Sequence, residues 1–185
     1  MSDKYKIRDN YKAYYIIIAT VSWVDVFRRK NQKLLIIESL KYCQRNKGLI
    51  IFGYCLMTNH VHLIFRSIDG QKPELLLGDF KRFTSKKIVN LITVNPKESR
   101  KEWLLEQFMK AGSKSSNVKK YQFWRHDNKP IELWSSKVIN EKISYIHQNP
   151  VEEGLVYHPE DYVYSSARDY AGEKGLIDGI IVIRY

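Results

Sequence analysis

The dozen residues Tyr54-Cys55-Leu56-Met57-Thr58-Asn59-His60-Val61-His62-Leu63-Ile64-Phe65 constrain the fold of this chain more than any others. They read as a buried strand, yet two histidines fall within it. Side chains alternate along a strand, so His60 and His62 share one face, while Met57, Val61, Leu63 and Phe65 take the other. The chain therefore predicts a sheet with a core on one side and two imidazoles side by side on the other, with room between them for a metal ion or a phosphate. A His-x-His pair alone fits equally well with two half-buried histidines bonded to backbone or water. A metal needs at least one further donor, either Asp, Glu or His, or an amide oxygen if the ion is hard.

Periodicity places this strand in an alternating order. Residues 11–27, with Tyr14-Tyr15-Ile16-Ile17-Ile18-Ala19-Thr20-Val21, are β-branched and aromatic and predict a first strand. Asn31 is a helix cap, Leu34, Leu35, Ile37 and Leu40 recur at helical spacing, and Lys47-Gly48 ends that helix. Leu49 to Gly53 lead into the histidine strand. Asp69-Gly70 mark a turn, and Pro73 opens a helix carrying Leu76, Phe80, Ile88 and Leu91 that stops at Asn95-Pro96. Glu98 to Ala111 predict another helix, ending at Gly112, and Ser113 to Asn117 a polar loop. Tyr121-Gln122-Phe123-Trp124 alternate like a strand, and Asn128-Lys129-Pro130 suggest a turn. Ser135 or Ser136 starts a helix with the stripe Val138, Ile139, Ile143, Ile146, and Pro150 lies just past it. A short helix at Ser165 to Tyr170 and a strand at Ile180 to Ile183 complete the reading. The order predicts an α+β fold, an antiparallel sheet with helices packed on it.

Charge indicates the partner. The chain has 185 residues, a net charge of +11 and 44% hydrophobic residues, which suits one domain over residues 1–185 with a real core. Between Lys81 and Arg125, twelve cations face only Glu98, Glu102 and Glu106, so most of the excess is gathered in one region. Lys81, Arg82, Lys86 and Lys87 sit on or beside an amphipathic helix where they can grip phosphates, and Lys119, Lys120 and Arg125 extend the patch. Tyr121, Phe123, Trp124 and Trp134 offer rings on which unpaired bases stack, the alternative for each being core packing. No apolar run reaches the ~18 residues of a membrane span. The polar N-terminus is not a signal peptide, and Cys43 and Cys55 in apolar settings are free thiols, so the expectation is a cytoplasmic protein, associated with a prokaryotic nucleoid and no membrane.

The late helix holds Tyr145-Ile146-His147-Gln148-Asn149-Pro150, in which Tyr145 and Asn149 are four apart and share a face. "MTNHVHLIF" followed about eighty residues later by "YIHQNPVEEGLV" resembles the HUH-type single-tyrosine transposases, and "HPEDYVYSSARDYAG" resembles their REP-associated branch in particular. The similarity spans residues 11–170, with a core of about 11–156 and a C-terminal extension of about 157–185. It implies a ferredoxin-like (RRM-like) sheet, a Mg²⁺ or Mn²⁺ ion held by His60, His62 and Asn149, with Gln148 as the alternative third ligand, and Tyr145 as nucleophile. In insertion-sequence relatives the third ligand is a Gln four residues after the tyrosine; Asn149 holds that position here. The implied reaction cleaves single-stranded or hairpin DNA, REP-like repeats among the possible targets, through a 5′-phosphotyrosine link that leaves a free 3′-OH. The longer tail favours a monomer completed in cis over a dimer that exchanges tyrosine helices. His126 and His147 compete as ligands on composition alone. Two other classes remain open: a non-catalytic nucleic-acid-binding domain, and a metal-dependent hydrolase that uses water.

Overall fold

In the computed structural model, residues 7–114 and 120–183 are described. The apolar, β-branched run Ala13–Ala19 forms β1, and α1 follows at Lys30–Asn46. Strands β2 (Leu49–Leu56) and β3 (His60–Ser67) make a hairpin, then α2 (Pro73–Val94) and α3 (Lys101–Gly112) lead to a short β4 (Ile131–Leu133). Helices α4 (Ser136–Glu152) and α5 (Ala167–Tyr170) complete the order. The sheet is antiparallel throughout, in the order β2-β3-β1-β4. A β-α-β-β-α-β succession with this order is the ferredoxin-like arrangement that the family resemblance implies.

The sheet separates two cores. On one side, Ile36, Ile37 and Leu40 of α1, Leu77, Phe80 and Ile88 of α2, and Leu104 and Phe108 of α3 pack with Ile16, Ile18, Val61, Leu63 and Phe65. On the other side, Ile139, Ile143 and Ile146 of α4 pack with Tyr15, Cys55 and Ile64. Alternation along β3 thus sends Val61, Leu63 and Phe65 to the three-helix side and leaves His60 and His62 on the side of α4. Register confirms the facing: Ala19 pairs with His60 and Ile17 with His62.

Several elements differ from the sequence expectation. The histidine segment is two strands and not one, because Met57, Thr58 and Asn59 turn between them, with the Met57 amide donating to His60 O at 2.9 Å. The turn resets the alternation, so Met57 joins the α4-side core rather than that of Val61 and Leu63. Tyr121 to Trp124 form no strand: Phe123 and Trp124 are core anchors, and only an isolated bridge links Trp124 to Thr20. The fourth strand instead comes from Ile131–Leu133, held by pairing with β1. Ile180 to Ile183 form no strand either; one bond, Ile181 N–H to Ile51 O at 3.0 Å, ties them to β2. Arg29 and not Asn31 caps α1, and Gln32 Oε1 accepts from the Arg29 amide at 3.2 Å. Helix α3 starts at Lys101 because Glu98 is buried as a partner of Arg29, 2.9 Å away. Pro150 lies inside α4 rather than past it, in the last turn.

The segment after α4 covers the edge strand β2, whose exposed amides would otherwise invite pairing with another chain. Leu56 N–H donates to Tyr164 O (2.9 Å), Ser166 N–H to Tyr54 O (3.0 Å) and Tyr162 OH to Leu56 O (2.8 Å). Among the described residues, no helix is long and apolar enough to cross a membrane.

Helix α4 approaches the sheet over Gly53. A Cβ there would collide with Ile143 Cδ1 and crowd Ile146. Gly53→Ala is therefore expected to lift α4, with a loss of about 1–3 kcal/mol from overpacking. Urea unfolding measures it; an unchanged midpoint would show that the helix is not held this closely.

Candidate active site

Strand β3 presents His62 to the buried floor of a recess and His60 to its rim. Their Nε2 atoms are 2.9 Å apart. Helix α4 contributes Asn149, whose Oδ1 lies 3.1 Å from His62 Nε2 while its amide nitrogen donates to Tyr145 O at 2.7 Å. That second bond fixes which end of the amide faces the imidazoles. Tyr145 is one turn earlier on the same face, with its ring edge-on to His62 at 5.8 Å between centroids. It remains 46% exposed, open to a large substrate.

Three groups that sequence reasoning missed complete the surroundings. Tyr15 of β1 is buried; its hydroxyl lies 2.8 Å from His62 Nδ1 and its ring stacks on the imidazole at 5.8 Å. Trp23 is edge-on to His60 at 5.4 Å, held by a left-handed backbone at Ser22 and Trp23 (φ 54° and 53°) that bulky residues seldom adopt outside functional sites. Lys142, one turn before Tyr145, lies over both the Tyr15 and Tyr145 rings at 5.3 and 5.5 Å. The β1 register opposite β3 is the signal that could have found Tyr15, since Tyr15 and Ile17 share a strand face. Lys142 sits three residues before Tyr145, a helical neighbour visible in the sequence.

Burial sets the charge state. It pushes His60 down to about 4 and His62, assisted by the neighbouring His60, down to about 3. Both rings are neutral at physiological pH, the form in which imidazole binds a metal. Burial likewise holds the Tyr15 phenol well above its ordinary range. The donor set suits a divalent ion. The two observed separations, 2.9 and 3.1 Å, are close to the ~3 Å between adjacent ligands of a six-coordinate ion with bonds near 2.1 Å. Among the described residues there is no cluster of three His, Cys, Asp or Glu side chains that could hold a metal; the further oxygen donor beside His62 is the Asn149 amide.

The remaining expected residues lie elsewhere. Gln148 is exposed, and Asn149 is the residue that meets His62. His147 points away and bonds Ser166 Oγ at 2.8 Å. Lys81 is turned inward, donating to Arg125 O and, at 2.8 Å, to Asn128 Oδ1, and its burial lowers it to about 8; it braces the 125–128 loop and is not a free phosphate grip. Arg82 pairs with Asp79 yet stays exposed, as do Lys86, Lys87 and Lys120. Arg125 lies by Trp23, its guanidinium 5.5 Å over that ring. Lys119 is outside the described residues. Of the four aromatics, Phe123 and Trp124 are interior, Tyr121 is half-buried, and Trp134 is 75% exposed.

The fold thus sets paired histidines on a ferredoxin-like sheet beneath a tyrosine-bearing helix. The sequence model described as "Transposase IS200 like" matches residues 10–124, which include both histidines. The chain belongs to the IS200-like transposase family, which bears out the resemblance to single-tyrosine transposases. A solved REP-associated tyrosine transposase bound to a REP hairpin has the same fold, with a TM-score of 0.57 over 100% of this chain and 91% of the other at 13% identity. No curated protein matches the chain.

The buried neutral histidines make stability depend on acidity. With its folded value held near 4 by burial, His147 binds a proton less readily than in the unfolded chain, where histidine titrates near 6.5. The same holds for His60 and His62. Below about pH 6.5 the unfolded state takes up protons first, so stability is full above that pH and falls as pH drops toward 4. Thermal melts of the protein from pH 8 to 4 should trace that decline, and His147→Gln should shallow it; a flat profile would contradict buried neutral imidazoles.

Proposed function

We propose that this transposase cuts and rejoins single-stranded, hairpin-associated DNA through Tyr145, with a Mg²⁺ or Mn²⁺ ion on His60, His62 and Asn149. The observation that carries this reading is Tyr145 standing against His62 while Asn149, from the same helix face, reaches the His62 Nε2. Nucleophile and ligands thus come from two elements whose packing fixes their spacing.

In this mechanism the Tyr145 oxygen attacks a backbone phosphorus in line with the departing 3′ oxygen. The O–P bond to tyrosine forms as the P–O3′ bond breaks, the phenolic proton is lost, and the 3′ oxygen leaves as a hydroxyl after gaining a proton. The bound cation would supply charge neutralisation at the phosphate, the effect that usually dominates such reactions. The linkage to Tyr145 keeps the phosphodiester's energy, and the reverse attack by a 3′-OH reseals a strand without ATP. Lys142, over the Tyr145 ring, brings positive charge to the nucleophile and to the arriving phosphate. Arg125 and Trp23 form the rim beside His60 on which an incoming strand rests. Arg82, Lys86 and Lys87, on the outward side of α2, hold DNA farther from the reacting phosphate through sequence-independent contacts. A monomer working in cis is the simplest assembly, since Tyr145 and His62 meet within one chain.

Labelled hairpin DNA with a single-stranded flank, incubated with Mn²⁺ and run on a denaturing gel, tests the chemistry. The expected result is a covalent band that Tyr145→Phe abolishes and that His60→Ala and His62→Ala each reduce by at least about 10²-fold, consistent with loss of a reaction-centre group. Cleavage that survives Tyr145→Phe would mean a water nucleophile, and tight binding without adduct or cleavage would mean a non-catalytic DNA binder.

Arg125→Ala is expected to weaken DNA binding and lower the slope of log affinity against log salt by about 1, the signature of one lost phosphate contact. Fluorescence anisotropy at several salt concentrations reads it, and an unchanged slope would remove Arg125 from the interface.

A further inference from the structure

The hydrogen-bond directions around the histidines follow from the two asparagines that flank them. Asn59 donates its amide nitrogen to Trp23 O at 3.1 Å, so its Oδ1 is the atom facing His60 Nδ1 at 2.6 Å. An amide oxygen only accepts; His60 Nδ1 therefore carries the ring proton and His60 Nε2 keeps a lone pair. That lone pair faces His62 Nε2 at 2.9 Å, which is therefore the donor when no cation lies between the two rings. The same assignment satisfies Asn149 Oδ1, an acceptor 3.1 Å from His62 Nε2 because the Asn149 amide nitrogen is committed to Tyr145 O. A neutral His62 protonated on Nε2 has its lone pair on Nδ1, and Tyr15 OH, 2.8 Å away, donates to it.

The two imidazoles are consequently not equivalent. His60 already offers an Nε2 lone pair to the recess. His62 has a proton there and becomes a ligand only as the other tautomer, with the proton on Nδ1. Its Nδ1 partner must then donate in one state and accept in the other. A carboxylate or carbonyl only accepts and an amide N–H only donates, whereas a hydroxyl does both by rotation about its C–O bond. Tyr15 is also buried at 4% exposure and stacked on His62 with 15° between the rings, so it fixes the plane in which the imidazole points.

We propose that Tyr15 is a positioning residue that sets the tautomer and ring orientation of His62, donating to Nδ1 in the cation-free protein and accepting from Nδ1–H when His62 Nε2 takes a divalent cation. The exchange is proton-neutral: His62 gives its Nε2 proton to solvent and takes one from solvent on Nδ1, and Tyr15 ends with one proton as it began. The inference rests on the metal reading made above. Hydrogen-bond partners of metal-bound histidines typically contribute about 10–100-fold in affinity, which sets the size of effect to look for.

The experiment uses the full chain, stripped with EDTA. ¹⁵N NMR of the histidine rings is expected to show His60 protonated on Nδ1 and His62 on Nε2. Mn²⁺ titration followed by EPR is expected to give an affinity about 10–100-fold weaker in Tyr15→Phe than in wild type, with His62 in Tyr15→Phe distributed over both tautomers. Wild-type His62 protonated on Nδ1 in the cation-free protein would overturn the proposal, and that measurement decides alone should Tyr15→Phe not fold. Normal Mn²⁺ uptake by wild type with a Tyr15→Phe affinity within about twofold of it would overturn the role of Tyr15 and leave the metal site standing. Wild type that takes up no Mn²⁺ even with single-stranded DNA present would overturn the metal reading itself, and this inference with it.

Discussion

Everything at the site depends on α4 lying against the sheet face that carries the histidines. Ile139, Ile143 and Ile146 drive that contact, each buried side chain contributing about 1.5–3 kcal/mol by removal from water. Gly53 permits it by offering no side chain where the helix crosses. Once the helix is down, the polar consequences follow. Burial makes the charged forms of His60 and His62 costly, so both rings are neutral and their nitrogens must find partners within the recess. The helix supplies one of these through Asn149, and β1 supplies another through Tyr15. Hydrophobic packing and ligand chemistry are thus one structural fact viewed from two sides.

The remainder of the chain stabilises that contact. His147, on the side of α4 turned from Tyr145, bonds Ser166 Oγ, which in turn accepts from the Tyr54 amide at 3.0 Å. Helix α4, the C-terminal segment and β2 are joined through one hydroxyl. The tail that covers the edge of β2 is therefore also a brace for the helix that carries Tyr145. Pro150 has a place in this as well. It withdraws one amide from the helix ladder, and the chain leaves the helix through Gly154, in a left-handed conformation (φ 67°), directly into that brace.

Much of this was legible in the sequence, for physical reasons that differ by element. Alternation identified the face of His60 and His62, because period two survives wherever a strand is continuous. It misplaced Met57, because a turn between strands leaves no mark in an apolar run. Tyr121 to Trp124 have strand composition but lie beside α3 and β1 as core anchors; their burial satisfies the pattern without a ladder. Ile131–Leu133 is too short and too exposed to signal a strand, and exists through its pairing with β1. Charge counting found a basic region but not its division. Lys81 carries the same charge in the sequence as Lys86, yet the fold spends it on Arg125 O and Asn128 inside the molecule. Tyr15 was invisible as a site residue because its role requires knowing that β1 pairs with β3.

The donor set has a consequence for how a substrate and a cation would meet there. Two neutral imidazoles and one amide bring no negative charge, and among the described residues no carboxylate is a hydrogen-bond partner of these donors. Ligand charge is a principal determinant of affinity for hard divalent ions, so such a site holds Mg²⁺ or Mn²⁺ weakly unless an anion joins it. In the mechanism proposed above a backbone phosphate would be that anion, and it would bring the phosphorus to the side of His62 where Tyr145 stands. Lys142 and Arg125 give the surroundings the positive charge that draws it in, from α4 and from the rim at Trp23. On this reading the sparse ligand set couples cation binding to DNA binding, and reactivity appears where both are present.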